Sequence, residues 1–272
     1  MFVYSGELES VSAGGFSLAV VASVSTVAIF TAVPFLLTAT LRRDARLQAS
    51  DEERHGRVDV ELFTEGDLEA ADRLRQASPM ALVKRIVDVV AALLLVIFLA
   101  PLLAITAIAI KLDSRGPVLY RQRRIGIDGK PFEIFKFRSM CMDAEIDGAK
   151  WAEQNDARVT RVGRLIRKTR IDEIPQGFNI LRGEMSFVGP RPERPEFVEM
   201  LEREIPHYHD RHTVKPGITG WAQIRHEYTA SVEGARDKLR YDLYYIKHFS
   251  PLFDVFIMVM TIRVALFGVG SR

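Results

Sequence analysis

The stretch IDEIPQGFN, Ile171–Asn179, places two carboxylates side by side, Asp172 and Glu173, with Pro175 two residues after them. Adjacent like charges repel each other, so the pair needs an explanation. Proline is tolerated in the first turn of a helix, because its missing N–H has no partner there. The stretch therefore predicts a helix that begins near the two acids, with Pro175 as the structural residue that fixes this start.

The predicted helix has one apolar face and a candidate end at Gly183, a residue type that readily adopts the left-handed conformation. The apolar positions of this face are Ile171, Ile174, Phe178 and Leu181. Carboxylates at a helix start cap free N–H groups and meet the positive end of the helix dipole, an effect of roughly 0.3–2 kcal/mol. One acid would suffice for capping, so the second indicates a further role.

Basic side chains flank the acidic pair. They are Arg164, Arg167 and Arg170 before the pair and Arg191 after it. Arginine binds phosphate oxygens through two N–H groups at once, and a divalent cation bridges carboxylate and phosphate. Gly189, Pro190 and Pro192 stiffen the loop that presents Arg191. Two carboxylates with several guanidinium groups therefore fit a metal and phosphate site, although capping alone remains the alternative.

Charge is divided unevenly along the 272 residues, whose formal net charge is +2. Residues 1–78 hold 7 basic and 12 acidic side chains, whereas residues 79–272 hold 30 and 23. A basic C-terminal portion indicates anionic partners. Nucleic acid is not expected, because no binding motif is present and basic residues alternate with acids. A lone cysteine, Cys141, excludes an intrachain disulfide and is consistent with a reducing compartment.

The N-terminal portion predicts a membrane anchor. Phe16–Leu41 is uncharged over 26 residues, a length of roughly 39 Å as a helix. Three arginines follow it, Arg42, Arg43 and Arg46, which places the N-terminus outside and the rest in the cytoplasm. We expect a transmembrane helix in residues 1–41 and a charged linker in residues 42–79, with one or two surface helices over 58–76.

A second apolar run, 86–110, has cations at both ends and Pro101 near its centre. Cationic ends favour a segment that enters and leaves on the same side, and proline bends or breaks the helix. We predict a re-entrant membrane helix over residues 84–111, with an ordinary kinked span as the alternative. A third apolar run, 249–268, is interrupted by Asp254 and Arg263, which favours a helix lying in the interface or packed on the domain.

Between these runs, 116–140 predicts a β-hairpin about the turn dipeptide Asp128-Gly129. Its arms carry Arg121, Arg123, Arg124, Lys136 and Arg138. Most of these cations are expected in solvent, with Arg138 as the exception because it lies between aromatic and small residues. The predicted fold class is α+β: membrane-associated and mostly helical, with a re-entrant membrane helix, a small β-hairpin and interfacial helices.

Two further stretches are less specific. HYHDRH, 207–212, brings three histidines together, but no cysteine or other ligand at a fitting spacing supports zinc, so a polar surface stretch is expected. KPGITGW, 215–221, is rich in glycine and predicts a loop.

Several motifs, in order, resemble the bacterial sugar transferase family, the monotopic phosphoglycosyl transferases that load a polyprenol phosphate carrier. They are KRIVDVVAALLLVIFLAP, GPVLYRQRRIG, KFRSM, DEIPQGFNILRGEMSFVGPRPERPEF, KPGITGWAQI and YDLYYI. The resemblance covers about residues 80–269, so we expect a catalytic domain in 80–272. The C-terminal tail is similar to the exopolysaccharide branch. The family often has Ser-Pro at its helix break, whereas this chain has Ala100-Pro101.

The resemblance implies a mechanism. Asp172 would be the nucleophile, attacking the sugar-linked phosphate of a UDP-sugar to form a covalent phosphosugar-aspartyl intermediate, and undecaprenyl phosphate would accept the phosphosugar. Glu173 would help to hold Mg²⁺, and the helix start would favour the Asp172 anion. Arg167, Arg191 and Arg225 would bind phosphate. We also include Arg138, Pro192, Lys84 and Arg85 among the candidate substrate-binding residues.

The expected enzyme starts exopolysaccharide or other surface glycan synthesis at the bacterial inner membrane, with its catalytic domain on the cytoplasmic face of the lipid bilayer. UDP-glucose or UDP-galactose is the expected donor, with N-acetylated sugars as the alternative. A homodimer is possible. Two alternative functions stay open: a metal-dependent nucleotide-sugar hydrolase, and a non-enzymatic, membrane-anchored basic module.

Overall fold

The structure is a computed structural model that describes residues 51–69, 71–72, 79–144, 156–226 and 231–267. The chain divides into two compact units, Met1–His55 and Gly56–Arg272. Of the first unit, helix α1 (Asp51–His55) is described, and the predicted transmembrane helix lies outside the described residues. Every element below belongs to the second unit.

Part of the predicted linker packs into the core of the second unit. Val58, Val60 and Phe63 are buried in one cluster with Trp221 and other apolar side chains. The indole Nε1 of Trp221 donates a hydrogen bond to the carbonyl of Gly56 at 2.6 Å. The predicted linker is therefore wrong for the residues from 56 onward that enter this cluster. Its short 3-10 turns, Val60–Leu62 and Glu65–Leu68, carry isolated apolar residues without the helical spacing that would reveal burial.

The second apolar run forms two helices, α2 (Pro79–Phe98) and α3 (Ala100–Asp113), which meet at Leu99 with a bend of 59°. Pro101 lies in the first turn of α3, so the predicted break at this proline is confirmed. Among the described residues, no single helix is long and apolar enough to cross a membrane, and this bent pair passes the same length and composition test.

The hairpin is also confirmed. Strands β1 (Leu119–Ile125) and β2 (Pro131–Phe137) pair antiparallel. Asp128 and Gly129 have φ of 56° and 71°, the left-handed region that the turn dipeptide predicts. The register sets Arg124 opposite Phe132 and Tyr120 opposite Lys136. Because side chains alternate between faces, Arg124 and Lys136 share one face of the hairpin, and Arg121 and Arg123 share the other.

A second small sheet was not predicted. Strands β3 (Ser186–Val188) and β4 (Gly217–Thr219) pair in parallel and bring the KPGITG stretch against the GPRP loop. A Cβ added to Gly189 would lie 2.2 Å from the carbonyl oxygen of Lys215, so only glycine permits this approach. The 215–221 stretch is therefore half strand rather than loop, and it supports the residues that follow Gly189.

Six further α-helices follow α3 in the described part of the unit. They are α4 (Arg161–Lys168), α5 (Gly177–Arg182), α6 (Pro195–Glu204), α7 (Trp221–Arg225), α8 (Val232–Lys247) and α9 (Pro251–Phe267), with a 3-10 segment (Tyr208–Thr213) before β4. The main core lies among α6, α8 and α9, where Leu239, Leu243 and Ile257 are fully buried. The described protein is mostly helical with a small hairpin, as predicted.

Candidate active site

The acidic pair lies where two helical segments meet. Arg170 has φ 58°, and a 3-10 segment (Ile171–Gln176) continues into α5, which ends at Gly183 with φ 85°. The predicted start and end of this helix are confirmed, but its first turns are 3-10 rather than α. Asp172 and Glu173 lie in the first turn and are both buried, so the predicted start directs both carboxylates into the protein.

Asp172 is a buried acid whose charge is disfavoured. Burial, and then the charge of Glu173, raises the pKa of Asp172 to about 6. Its Oδ1 oxygen is buried and has no hydrogen-bond partner among the described residues. The expectation that the helix start would favour the Asp172 anion is therefore wrong. Burial and the neighbouring carboxylate outweigh a single short turn of helix.

Glu173 is a buried acid whose charge is favoured. Burial opposes ionisation, but Arg191 and Lys136 lower the pKa of Glu173 far below its ordinary value. Arg191 donates from Nη2 to Oε1 and from Nη1 to Oε2, the latter at 3.4 Å. Lys136 Nζ donates to Oε1 at 3.3 Å, and burial lowers the pKa of this lysine to about 8. The protein thus raises the pKa of Asp172 and lowers the pKa of its neighbour Glu173. Opposite shifts at adjacent acids are typical of functional sites.

These opposite tendencies predict a pH-dependent stability. Without substrate or divalent cation, Asp172→Asn should raise the free energy of unfolding at pH 8 by about 2–3 kcal/mol. The folded-state pKa of about 6 exceeds the ordinary 3.8, so the native protein loses stability as the pH rises through this window and Asp172 ionises. Asparagine removes that cost. Denaturant unfolding at pH 8, 6 and 4 should show the gain shrinking towards pH 4, and an equal gain at all three values would contradict the raised pKa.

The loop that carries Arg191 is fixed by residues from distant parts of the chain. Arg211 Nη2 donates to the carbonyl of Arg191 at 2.9 Å, and Arg124 Nη1 donates to the carbonyl of Pro192 at 3.0 Å. Lys238 Nζ lies 2.5 Å from Glu193 Oε1. The loop after β3 therefore presents Arg191 to Glu173 on a rigid backbone.

Of the other predicted substrate-binding residues, Pro192 lies in this loop. Three more, Lys84, Arg85 and Arg138, form hydrogen bonds or ion pairs with other residues of the protein. Lys84 pairs with Asp254 at 2.5 Å. Arg85 donates to the carbonyls of Ile180 and Leu181 at the end of α5, at 2.6 and 2.9 Å. Arg138 donates to the carbonyls of Arg115 and Ser114 after α3, at 2.7 and 2.8 Å.

Arg225 packs on an aromatic ring, and Arg167 lies on the helix that precedes the acidic pair. The guanidinium of Arg225 stacks 4.8 Å above the ring of Trp221. Arg167 is half-buried in the last turn of α4. The structure thus brings Arg191 into contact with Glu173, the neighbour of Asp172 in the chain, and a substrate role for the other predicted residues stays a prediction.

Sequence reasoning missed two site residues, Lys136 and Arg124, because most of the basic side chains of the hairpin were expected to be exposed to solvent. The alternation of side chains along each strand could have revealed them, because it places Lys136 and Arg124 on the opposite face of the hairpin from Arg121 and Arg123. Arg121 is exposed, with a weak pair to Glu133 at 3.9 Å.

The histidine stretch differs from its prediction. His212 is 5% exposed, and burial lowers its pKa to about 3. The polar surface that was predicted is therefore wrong for His212 and for its neighbour Arg211, which is also buried. Within the described residues, no group of three His, Cys, Asp or Glu side chains is placed to hold a metal ion.

Magnesium does not need such a group, because it is commonly held by one or two carboxylates together with substrate phosphates. The Asp172 Oδ1 atom without a partner and the ionised Glu173 beside it fit that requirement. Glu173 would hold the ion together with a substrate phosphate if one binds.

Known proteins are similar to most of this chain. Residues 79–268 match the profile of the family described as bacterial sugar transferase. A UDP-N-acetylgalactosamine-undecaprenyl-phosphate N-acetylgalactosaminephosphotransferase of Aeromonas hydrophila is 48% identical over 217 residues, which cover 80% of this chain and 51% of the relative. A UDP-glucose:undecaprenyl-phosphate glucose-1-phosphate transferase of Escherichia coli (strain K12) is 46% identical over 184 residues, 66% of this chain and 39% of the relative.

A Caulobacter vibrioides protein with the same name as the Escherichia coli relative is 46% identical over 182 residues, 66% of this chain and 68% of the relative. The chain spans about half of the Aeromonas protein and less of the Escherichia coli protein. The profile match covers most of the chain, including the acidic pair, the hairpin and the Arg191 loop. The chain belongs to the bacterial sugar transferase family.

Proposed function

We propose that this chain transfers hexose-1-phosphate from a UDP-sugar to polyprenol phosphate, the first membrane step of a surface glycan. The observation that carries the proposal is the buried acidic pair, in which Asp172 keeps an oxygen without a partner while Arg191 and Lys136 hold Glu173. The names of these two relatives, which include undecaprenyl phosphate and either UDP-glucose or UDP-N-acetylgalactosamine, support this substrate class.

The proposed reaction has two displacements at one phosphorus. A carboxylate oxygen of Asp172 attacks the sugar-bearing β-phosphorus, the bond to the bridging oxygen breaks, and UMP leaves with the electron pair. An oxygen of polyprenol phosphate then attacks the same phosphorus, and the bond to Asp172 breaks and restores the carboxylate. Each step exchanges one P–O bond for another, which divides one difficult transfer into two easier ones.

The surrounding charges suit this sequence. Two like charges about 4 Å apart near a protein surface repel by roughly 4 kcal/mol, so a pyrophosphate approaching two carboxylates needs opposing charge. Arg191 and Lys136 lie beside Glu173 and supply two such charges. Magnesium held by Glu173 and the substrate would supply further charge. A nucleophile with a pKa of about 6 is mostly ionised at neutral pH, and its buried position keeps competing water away.

We further propose that α2 and α3 form a re-entrant membrane segment. Their outer faces expose many large apolar side chains, a pattern typical of membrane or protein contact. The most exposed are Leu82, Ile97, Phe98, Ile105, Ile108 and Leu112. The 59° bend at Leu99 would return the chain to the side on which it entered. An interfacial position of α9 fits its exposed Leu252, Val255 and Val259.

Cysteine labelling in spheroplasts tests the re-entrant path. In a Cys141→Ser background, single cysteines replace Met80, before the apolar stretch, and Arg115, after it. We expect both positions to be protected from a membrane-impermeant maleimide until the membrane is permeabilised, because both ends lie on the cytoplasmic side. Labelling of either position in intact spheroplasts would place the two ends on opposite sides and favour a kinked span.

The release of UMP tests the proposed activity. Purified protein with Mg²⁺ is given UDP-glucose, UDP-galactose, UDP-N-acetylglucosamine or UDP-N-acetylgalactosamine, with and without polyprenol phosphate. We expect sustained UMP release with one class of donor only when the acceptor is present. Sustained release without the acceptor would instead favour a nucleotide-sugar hydrolase, and no release with any donor would favour a non-enzymatic module.

A further inference from the structure

The backbone that presents Arg191 is fixed at four consecutive carbonyl oxygens. The carbonyls of residues 190 and 193 accept from the main-chain N–H groups of Gly217 and Ile125, at 2.9 and 3.0 Å. The two between them, of Arg191 and Pro192, accept from the side chains of Arg211 and Arg124. The carbonyl of Arg191 thus depends on one side chain that comes from a segment 20 residues further along the chain.

Arg211 has its other partners in the core. Its Nη2 and Nε atoms donate to Asp242 Oδ2 at 2.8 and 3.3 Å, and Nη1 donates to the hydroxyl of Tyr208 at 3.0 Å. The side chains of Arg211 and Asp242 are only 1% and 3% exposed. A buried ion pair is weak evidence for stability, because apolar residues of similar volume are often as stable or more so. The pair therefore invites an explanation other than stability.

We propose that Arg211 is a positioning residue for Arg191. It holds the main chain at the residue whose guanidinium contacts Glu173, and Asp242 neutralises its charge inside the core. Arg211 is buried and donates to the carbonyl of Arg191, so it acts on the site through Arg191. This inference rests on the proposed transfer, in which Arg191 must meet the phosphate at a fixed place.

The location of Arg191 favours a positioning role for Arg211 over a purely structural one. Arg191 is 28% exposed at its side chain and forms two hydrogen bonds to Glu173, so it lies at the surface of the site rather than in the core. A long side chain at a surface can adopt many positions, and a fixed backbone reduces their number. Displacements of about 1 Å in a positioned group can cost on the order of a hundredfold in rate.

The test replaces the buried pair as a unit. Arg211→Met/Asp242→Leu removes both charges and keeps similar volumes, so the protein is expected to fold. Tyr208→Phe is the matched control, because it removes another partner of Arg211 and leaves the hydrogen bond to Arg191. We expect kcat for UMP release to fall about ten- to a hundredfold in the paired variant and less than about threefold in the control.

A double-mutant cycle with Arg191→Gln distinguishes positioning from general damage. If Arg211 acts through Arg191, the paired substitution should have little further effect once Arg191 is glutamine. An equal loss in both backgrounds would overturn the proposal, and so would full activity of a folded paired variant. If the paired variant does not fold, Arg211→Lys is measured in the same cycle, and an equal effect in the two backgrounds overturns the proposal there too.

The cycle also separates this inference from the proposed function. Acceptor-dependent UMP release by the unsubstituted protein is measured first. Its absence would refute the transferase, whereas its presence with an additive cycle would refute only the role of Arg211.

Discussion

Asp172→Asn should abolish acceptor-dependent UMP release, by at least about a thousandfold, while the protein stays folded. Asparagine has nearly the same volume but no anionic oxygen to attack phosphorus. Removal of the carboxylate charge also relieves the repulsion from Glu173 and the cost of burying an ion. Loss of activity together with a gain of stability is a combination that a helix-capping acid would not produce, because asparagine caps a helix about as well as aspartate and would leave both nearly unchanged.

Asp128→Asn is the control for this substitution. Asp128 lies at the turn of the hairpin in the left-handed conformation, which asparagine also adopts readily. Asp128→Asn removes the same negative charge at a position away from the acidic pair. The activity of this variant should stay within about twofold of that of the unsubstituted protein. Residual activity of Asp172→Asn at a tenth of the normal rate would assign the nucleophile to another group.

Arg191→Gln should lower kcat/KM for the UDP-sugar by at least about a hundredfold. It removes the group that donates two hydrogen bonds to Glu173 and that, in the proposed mechanism, contacts the phosphate. Glu173 is then left buried with Lys136 as its remaining ion-pair partner, so stability should also fall, by about 1–3 kcal/mol. Steady-state kinetics and denaturant unfolding measure the two effects separately.

Two further variants serve as controls for Arg191→Gln. Arg121→Gln removes an exposed arginine on the opposite face of the hairpin and should change neither quantity. Glu173→Gln/Arg191→Gln removes the charges of both partners together, so stability should recover while activity remains lost. Recovery of activity in this double variant would mean that Arg191 serves only to neutralise Glu173.

Local rules predicted the features that depend on neighbours in the chain. Pro175 and Gly183 set the ends of the helical segment, Pro101 sets the bend after α2, and Asp128-Gly129 sets the turn of the hairpin. Each depends on backbone angles that the residue itself prefers, so no knowledge of tertiary contacts was needed.

Features that depend on distant contacts were missed. β3 and β4 are three residues each and pair across about thirty positions, with glycine where a side chain would mark a face. Burial is the main cause of the raised pKa of Asp172. The pKa of Glu173 is lowered by Arg191 and Lys136, which lie 18 and 37 positions from it in the chain. The sequence located the acidic pair, but the distinct protonation of its two members is a property of the folded protein.

The most direct measurement is the intact mass of the protein after incubation with Mg²⁺ and each UDP-sugar in the absence of polyprenol phosphate. We expect a mass increase of one hexose phosphate or N-acetylhexosamine phosphate on the unsubstituted protein and none on Asp172→Asn. Addition of polyprenol phosphate should remove the adduct. An adduct that persists in Asp172→Asn, or acceptor-dependent UMP release with no adduct at any time, would contradict the covalent role of Asp172.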